Sequence, residues 1–555
     1  MKKILLTAIL LIGTLAGFAQ RVHDYNPKTY YVSNTGDDAA NGLTPATAWQ
    51  TISKVNSSTF RPGDKICFNR GDEWREQLTI DQSGYEDQPL TFTAYGTGAK
   101  PIINGSDIIT GWVNEGNNVW SINSPNAVTT RCMVLVDDIL FTQVATLGSV
   151  NSANTYFIDV AATPDRLYIY STTDPSSRVA EVSKREYGIV STSESYITLS
   201  NLDVRMAGNK GILFYNGGVS LDAYILVDSV NVSYNRLVGI GFYEGINESV
   251  IQNCTASWNG NNFIIWGTQG TGPGTGGVGA NNNIIRNCYS SYSIHDYTVA
   301  GQHSDGTGYQ IFNSNNCIIE NNISNHDQQG IYLDPYTNGG LTLTARYNKI
   351  YEANAISTSY GIGVSNSAAT TVVNIYYNLI VNCGNATGDY PAVHLSSTNG
   401  GDVNFYNNTV YNDGVATIKY QIRATNGTNI TLKNNIYYFT ETVDDYYVNV
   451  WVTSTGEPTS DYNQFYKNVV WGYVYFNGTP YATLANWVSA SSQDDNSQQG
   501  DPVFMSPTTF NFALKESSPS IDKGTVINTI PQYDILGHPI NGVPDMGCFE
   551  KYSVR

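Results

Sequence analysis

Two aspartates, Asp305 and Asp327, stand 22 residues apart in matching phrases. His303-Ser-Asp305-Gly-Thr-Gly-Tyr leads into Gln310-Ile, and His326-Asp327-Gln-Gln-Gly-Ile leads into Tyr332-Leu. Each aspartate lies three residues before a glycine that opens a short apolar run. Two neighbouring carboxylates repel when both ionise, which raises one pKa unless a cation intervenes. Three chemistries suit such a pair. One group acts as general acid and the other as base or nucleophile in glycoside hydrolysis. Alternatively both hold Ca²⁺, with Gln328, carbonyls or water completing the oxygen shell. In the third, both are Asx-turn residues that bond their own downstream amides and catalyse nothing. Asp334 ends the second apolar run and is a reserve carboxylate. His303, His326 and His295 sit beside acidic residues, and one could tune a carboxylate or bind a metal.

The elements that position these groups are repeats, and a repeat decides the fold. A strand of the form x-Gly-h-x-h (h apolar) recurs as "KGILFYN" at 210, "VGIGFYE" at 238, "TGYQIFN" at 307, "QGIYLDP" at 329 and "YGIGVSN" at 360. "PAVHLSS" at 391 and "YQIRATN" at 420 are weaker copies. A second phrase, h-x-x-Asn-x-h, places one slot at Asn231, Cys254, Cys288, Asn322, Asn348, Asn378, Asn408 and Asn435. Steps of 22 to 34 residues with a fixed turn asparagine describe coils of a parallel β-helix. The turn asparagines then form a ladder from coil to coil. Aligning the glycines stacks Asp305 over Asp327, about one strand spacing apart. The outward column of the same strands reads Gln310, Tyr332, Gly363, His394 and Arg423, with Tyr243, Trp266, Phe312 and Asp334 in a neighbouring column. A polar and aromatic strip of this kind suits an extended glycan.

The chain has 555 residues, 51 glycines, 40 tyrosines and 14% charged residues, a turn-rich β profile. Its formal charge of −18 argues against nucleic acid as a partner. Seven scattered cysteines show no zinc spacing, so no metal site is assigned to them. Residues 1–19 read as a signal peptide ending near Ala19. No later segment is apolar enough for a transmembrane span.

The phrases "TYYVSNTGDD", "FRPGDKICFNRGD", "LTFTAYGTGAKPIING" and the ending "FALKESSPSIDKGT" to "DMGCFE" resemble secreted bacterial right-handed parallel β-helix proteins of the pectate-lyase-like superfamily. The resemblance implies an all-β, single-stranded right-handed parallel β-helix acting on carbohydrate. That superfamily holds hydrolases, lyases, epimerases and binding proteins, so fold alone does not fix the reaction. "HSDG" and "NHDQ" resemble degenerate forms of the Asn-Thr-Asp-Gly and Asp-Asp phrases of its polygalacturonase-type hydrolases, with Gln328 in place of the second aspartate. That family's Gly-His-Gly and Arg-x-Lys phrases are absent. A Ca²⁺-dependent lyase places a lysine on the following coil, where this chain reads "STSYGIGVSN".

The expected organisation is a signal peptide (1–19), an N-terminal cap with a short helix and first coils (20–110), an inserted antiparallel β-subdomain (111–190), the main helix (191–500) and a closing segment (501–555). The expected function is that of a monomeric polysaccharide hydrolase, secreted, periplasmic or on a bacterial cell surface. Asp305, Asp327 and Asp334 are its catalytic candidates. His303, His326, Gln310, Tyr332, Trp266, His394 and Arg423 are expected to bind substrate. The hydrolase needs no cofactor. The alternatives are a Ca²⁺-assisted lyase of uronate glycans and a non-catalytic glycan-binding or surface structural module.

Overall fold

A computed structural model describes residues 25–551, except 124–131, 218, 220, 269–277, 294–304, 337–339, 355–358, 367–368, 386–389, 399, 415–417, 441–447, 454–455 and 468–471. The signal segment, His295 and His303 lie outside the described residues.

Alternation of apolar and polar residues gives each coil three short strands, because a strand sends successive side chains to opposite faces. Thr307–Phe312, Cys317–Glu320 and Ile323–Asn325 make one coil, and Gln329–Asp334, Thr342–Arg346 and Lys349–Tyr351 make the next. Equivalent strands pair in parallel from coil to coil and build three sheets, each of thirteen strands among the described residues. The result is a right-handed parallel β-helix. Its interior is filled by columns of like residues. One runs Ile240, Phe263, Tyr309, Ile331, Ile362, Val393 and Ile422, all fully buried. The Tyr309 hydroxyl is satisfied in this column by the Cys288 and Ile323 carbonyls, 2.9 and 2.8 Å away, which share its one proton.

The repeated glycine has a steric cause. A Cβ at Gly308 would strike Asp327 Oδ2, and one at Gly330 would lie 2.5 Å from the Gly361 carbonyl oxygen. The sheet carrying Thr307–Phe312 and Gln329–Asp334, hereafter the site sheet, therefore has no room for a side chain at these two coils, whereas Asn262, Gln421 and Asn449 fill the same slot on others and hydrogen-bond there.

The asparagine ladder runs through Asn322, Asn348, Asn378, Asn408, Asn435 and Asn463. From Asn348 onward each accepts, at its Oδ1, the backbone N–H and the side-chain amide of its predecessor at 2.9–3.3 Å. Cys288 and Cys254 continue the slot, the Cys288 N–H donating to Asn322 Oδ1. The first member differs from the sequence reading. Val230 donates to Cys254 Sγ, and Asn231 instead accepts from Lys100 Nζ at 2.9 Å on the outer face. The seven cysteines are buried and unpaired.

The N-terminal helix, Ile52–Asn56, buries Ile52 and Val55 beside Trp49 in the main core. Strands from Ser106–Ile108 to Ala180–Ser183 form small, mostly antiparallel sheets with their own core around Trp112, Phe141 and Leu167. The other end departs from expectation. The helix Leu484–Ser491 buries Leu484 and Trp487 in the main core and covers the last coils. The segment after 500 instead packs Phe504, Phe512 and Met546 along the flank against Leu379, Val381 and Tyr411. Its apolar residues match an exposed tyrosine-rich sheet face better than an open coil end.

Asn378→Ala removes two donors and two accepted bonds from a dry corner, so it should lower unfolding stability by roughly 2–4 kcal/mol in chemical denaturation. Loss below about 0.5 kcal/mol would mean that the ladder decorates the corner without holding it.

Candidate functional site

The outer face of the site sheet carries two columns. The first runs Gly241, Ile264, Gln310, Tyr332, Gly363, His394, Arg423, Trp451 and Tyr475. The second runs Tyr243, Trp266, Phe312 and Asp334. Both match the alignment read from the glycine phrases.

Strand register holds for the aspartate pair too, since Thr307 pairs with Gln329. The side chains nevertheless diverge. Asp327 is 0% exposed. Its Oδ1 accepts from Ser293 N–H and Asn262 Nδ2 at 2.9 and 3.2 Å, and its Oδ2 from the Ser290 and Ser324 hydroxyls at 2.7 Å each. It continues a second ladder, in which Asn235 Oδ1 accepts from Ala207 N–H and Asn259 Oδ1 from Asn235 N–H. The assignment of Asp327 as a catalytic residue is therefore corrected: it is an interior turn residue. All its acceptor positions are filled, so the sharing of one Ca²⁺ between Asp305 and Asp327 does not fit either. Burial pushes its carboxyl up to about 6 against the pull of those donors.

Asp334 is the carboxyl that joins Asp305. It ends the aromatic column, where ring centroids lie 6.2 Å (Tyr243–Trp266) and 4.0 Å (Trp266–Phe312) apart. Phe312 pairs directly with Asp334 in register. Asp334 is 8% exposed, and its Oδ1 accepts the Tyr336 N–H at 2.9 Å. Burial first, and the negative charge of Asp305 as well, raise its carboxyl to about 7. Among the described residues, no lysine, arginine or histidine forms an ion pair with Asp334.

Asp305 is half-buried, and its Oδ2 accepts Gln310 Nε2 at 3.1 Å. Gln310 and Asp334 lie on adjacent strands two residues out of step, so their α-carbons are about 8 Å apart. Two carboxyls thus face one patch of the groove. Gln310 Oε1 and Gln329 Oε1 are buried there without a hydrogen-bond partner among the described residues. Buried acceptors are seldom left so. Tyr332 leans over Gly363, where a Cβ would lie 2.8 Å from its ring, and burial and Asp334 raise its hydroxyl pKa.

His394 and Arg423 sit farther along the first column. Burial first, then the charge of Arg423, lower His394 to about 4, so the ring is neutral near pH 7. His326 does not reach the groove. Its φ of 58° turns it outward at the corner, onto the flank. There its Nε2 pairs with Glu352 Oε2 at 2.6 Å and its ring stacks on Tyr292 at 5.2 Å. It lines a cavity of about 500 Å³ with Tyr289, Ile323 and Phe510. Its placement with the substrate-binding set is corrected accordingly. Gln329, Trp451 and Tyr475 were missed in the sequence. Trp451 was legible from the alternation Val448, Val450, Val452, which turns it outward, but its strand lacks the marker glycine. Among the described residues, no three His, Cys, Asp or Glu side chains gather as metal ligands.

No protein-family model and no curated protein matches this chain. Among solved structures it is similar to XylC in complex with xylose, with a TM-score of 0.62 and 13% identity over 94% of this chain and 98% of that one. It is also similar to a GH136 lacto-N-biosidase from Eubacterium ramulus, with a TM-score of 0.47, 14% identity and coverage of 85% and 67%. For pectate lyase Pel9A the TM-score is 0.41, with 13% identity and coverage of 95% and 97%. Identities this low speak to the fold.

Asp327→Asn should fold and keep its activity, because asparagine already fills the same slot at Asn235 and Asn259. Asp327→Ala strands four donors and should lose about 3 kcal/mol or more. The folded chain binds the Asp327 proton more readily than the unfolded chain does. That stabilisation is complete below about pH 4 and is lost as pH rises through about 6. Asp327→Asn should remove this slope in denaturation curves; an inactive but folded Asp327→Asn protein would restore Asp327 to the active centre.

Proposed function

We propose that the chain is a polysaccharide hydrolase in which Asp334 is the general acid and Asp305 the base or nucleophile. The observation that carries this reading is the burial of Asp334 beside the charge of Asp305 at the outer face of the site sheet. Glycoside hydrolysis needs one carboxyl protonated and one ionised near neutral pH, and environments that push pKa values apart provide that. Asp334, raised to about 7, retains its proton to donate to the departing glycosidic oxygen. Asp305, held by Gln310 Nε2, attacks the anomeric carbon or takes a proton from water. Protonation of the leaving oxygen lets the bond break without an alkoxide, and water supplies the hydroxyl at the anomeric carbon.

The fold shared with XylC supports a β-helix with a glycan groove. The signal-like segment at residues 1–19 supports action outside the cytoplasm. Elimination is the weaker reading, since it needs a base and a cation beside a uronate. The coil after Asp334 carries Gly363 at the central outward position.

Against a polysaccharide panel, products should show new reducing ends without ultraviolet absorbance from an unsaturated uronate. Asp334→Asn should lower kcat by about 10²–10⁴-fold. Wild-type kcat should fall as pH rises through about 7, because Asp334 loses its proton there. Ultraviolet-absorbing products, or full activity in Asp334→Asn, would overturn the assignment.

A further inference from the structure

Among the described residues Arg423 shares the lack of an ion pair with Arg61, Arg70 and Arg286, but those three are held by a ring or by neutral oxygens, Arg61 over Tyr25, Arg70 by the Gly98 carbonyl and Arg286 by Gln252 Oε1. Arg75, Arg166, Arg178, Arg185, Arg205 and Arg346 all form ion pairs with carboxylates. Arg423 has no ion pair among the described residues, and its Nε is buried without a hydrogen-bond partner. This occurs in a chain with 47 acidic and 29 basic residues. The buried Nε of Arg205 and of Arg236 also lacks a partner among the described residues, but Glu73 and Gln143 hold the rest of those two guanidinium groups, whereas the Nε of Arg423 has lost water without such a neighbour, a cost that an acceptor arriving from outside would offset.

Its surroundings describe what would arrive. His394 lies one coil before it and Trp451 one coil after, in the same outward column. Rings flank the position: Tyr360 stacks on His394 at 5.6 Å, and Trp451 lies 4.8 Å from Tyr420 and 4.4 Å from Tyr475. A planar cation among aromatic rings suits a sugar that bears a carboxylate, held by paired N–H donors. Three strand spacings, about 14 Å, separate this position from the coil of Asp334. At the catalytic end the charge of Asp305 disfavours an anionic sugar.

We infer that Arg423 forms a subsite for a uronate residue about three sugar units from the cleaved bond, so that the substrate is a mixed glycan with a neutral sugar at the scissile linkage. This inference rests on the hydrolase reading for its distance to the cleaved bond, though not for the binding itself.

His394 reports on the subsite, because the charge of Arg423 is the second cause of its lowered pKa. The groups facing its ring are Arg423, Tyr360 and the Thr425 hydroxyl. NMR titration of His394 in the full chain, with glucuronate and galacturonate set against glucose and galactose, tests the inference. The uronates should raise its midpoint in a saturable manner, and the neutral sugars should not. Arg423→Gln should raise the midpoint in the free protein and abolish the response to uronates. Arg423→Lys, which keeps the charge, should retain the response with about tenfold weaker affinity. Equal responses to neutral and acidic sugars, or a response that survives Arg423→Gln, would overturn the subsite. Asp334→Asn separates the two readings: the subsite predicts an unchanged uronate response there, while hydrolysis surviving in that variant sinks only the catalytic assignment.

Discussion

In-register pairing between coils is the constraint on which the other features depend. Each strand of the site sheet meets its neighbour about 4.8 Å away, so one sequence position becomes a column along the molecule. Inward columns must be apolar or fully hydrogen-bonded, because water is excluded there. Outward columns are free of that demand and carry chemistry. At Gly308 and Gly330 a side chain would meet Asp327 or the next coil, so the second strand position is closed there.

The same residue type takes opposite roles on the two sides of this boundary. Asp327 turns inward and meets four donors, which satisfy its carboxyl and leave it no route to a ligand. Asp334 turns outward and meets one backbone N–H, stacked rings and the field of Asp305. Desolvation without compensating donors is what holds a proton on a carboxyl. Phe312, the last ring of the aromatic column, pairs in register with the carboxyl that terminates it.

The columns were legible in the sequence because glycine marks the corner and apolar alternation marks the faces. Gln310, Tyr332, His394 and Arg423 were aligned on that basis and stand in one row. The direction of a side chain at a corner was not legible. Asp305 and Asp327 share a phrase and a register, yet the serines that draw Asp327 inward come from positions 290, 293 and 324. No local pattern announces such donors. Asn231 failed similarly: a one-residue slip at the turn exchanged an inner slot for an outer one. His326 was grouped with its neighbour Asp327, but a left-handed backbone sends it to the flank.

The claim at the centre of this account is that Asp305 and Asp334, which come from different coils, act on one another across a single groove. Carboxyl carbon NMR of aspartate-labelled protein measures this directly. Asp334 should titrate near 7 in the wild type, and its midpoint should drop in Asp305→Asn when the neighbouring charge is removed. A midpoint near the ordinary value of 3.8, or one indifferent to Asp305→Asn, would contradict the account.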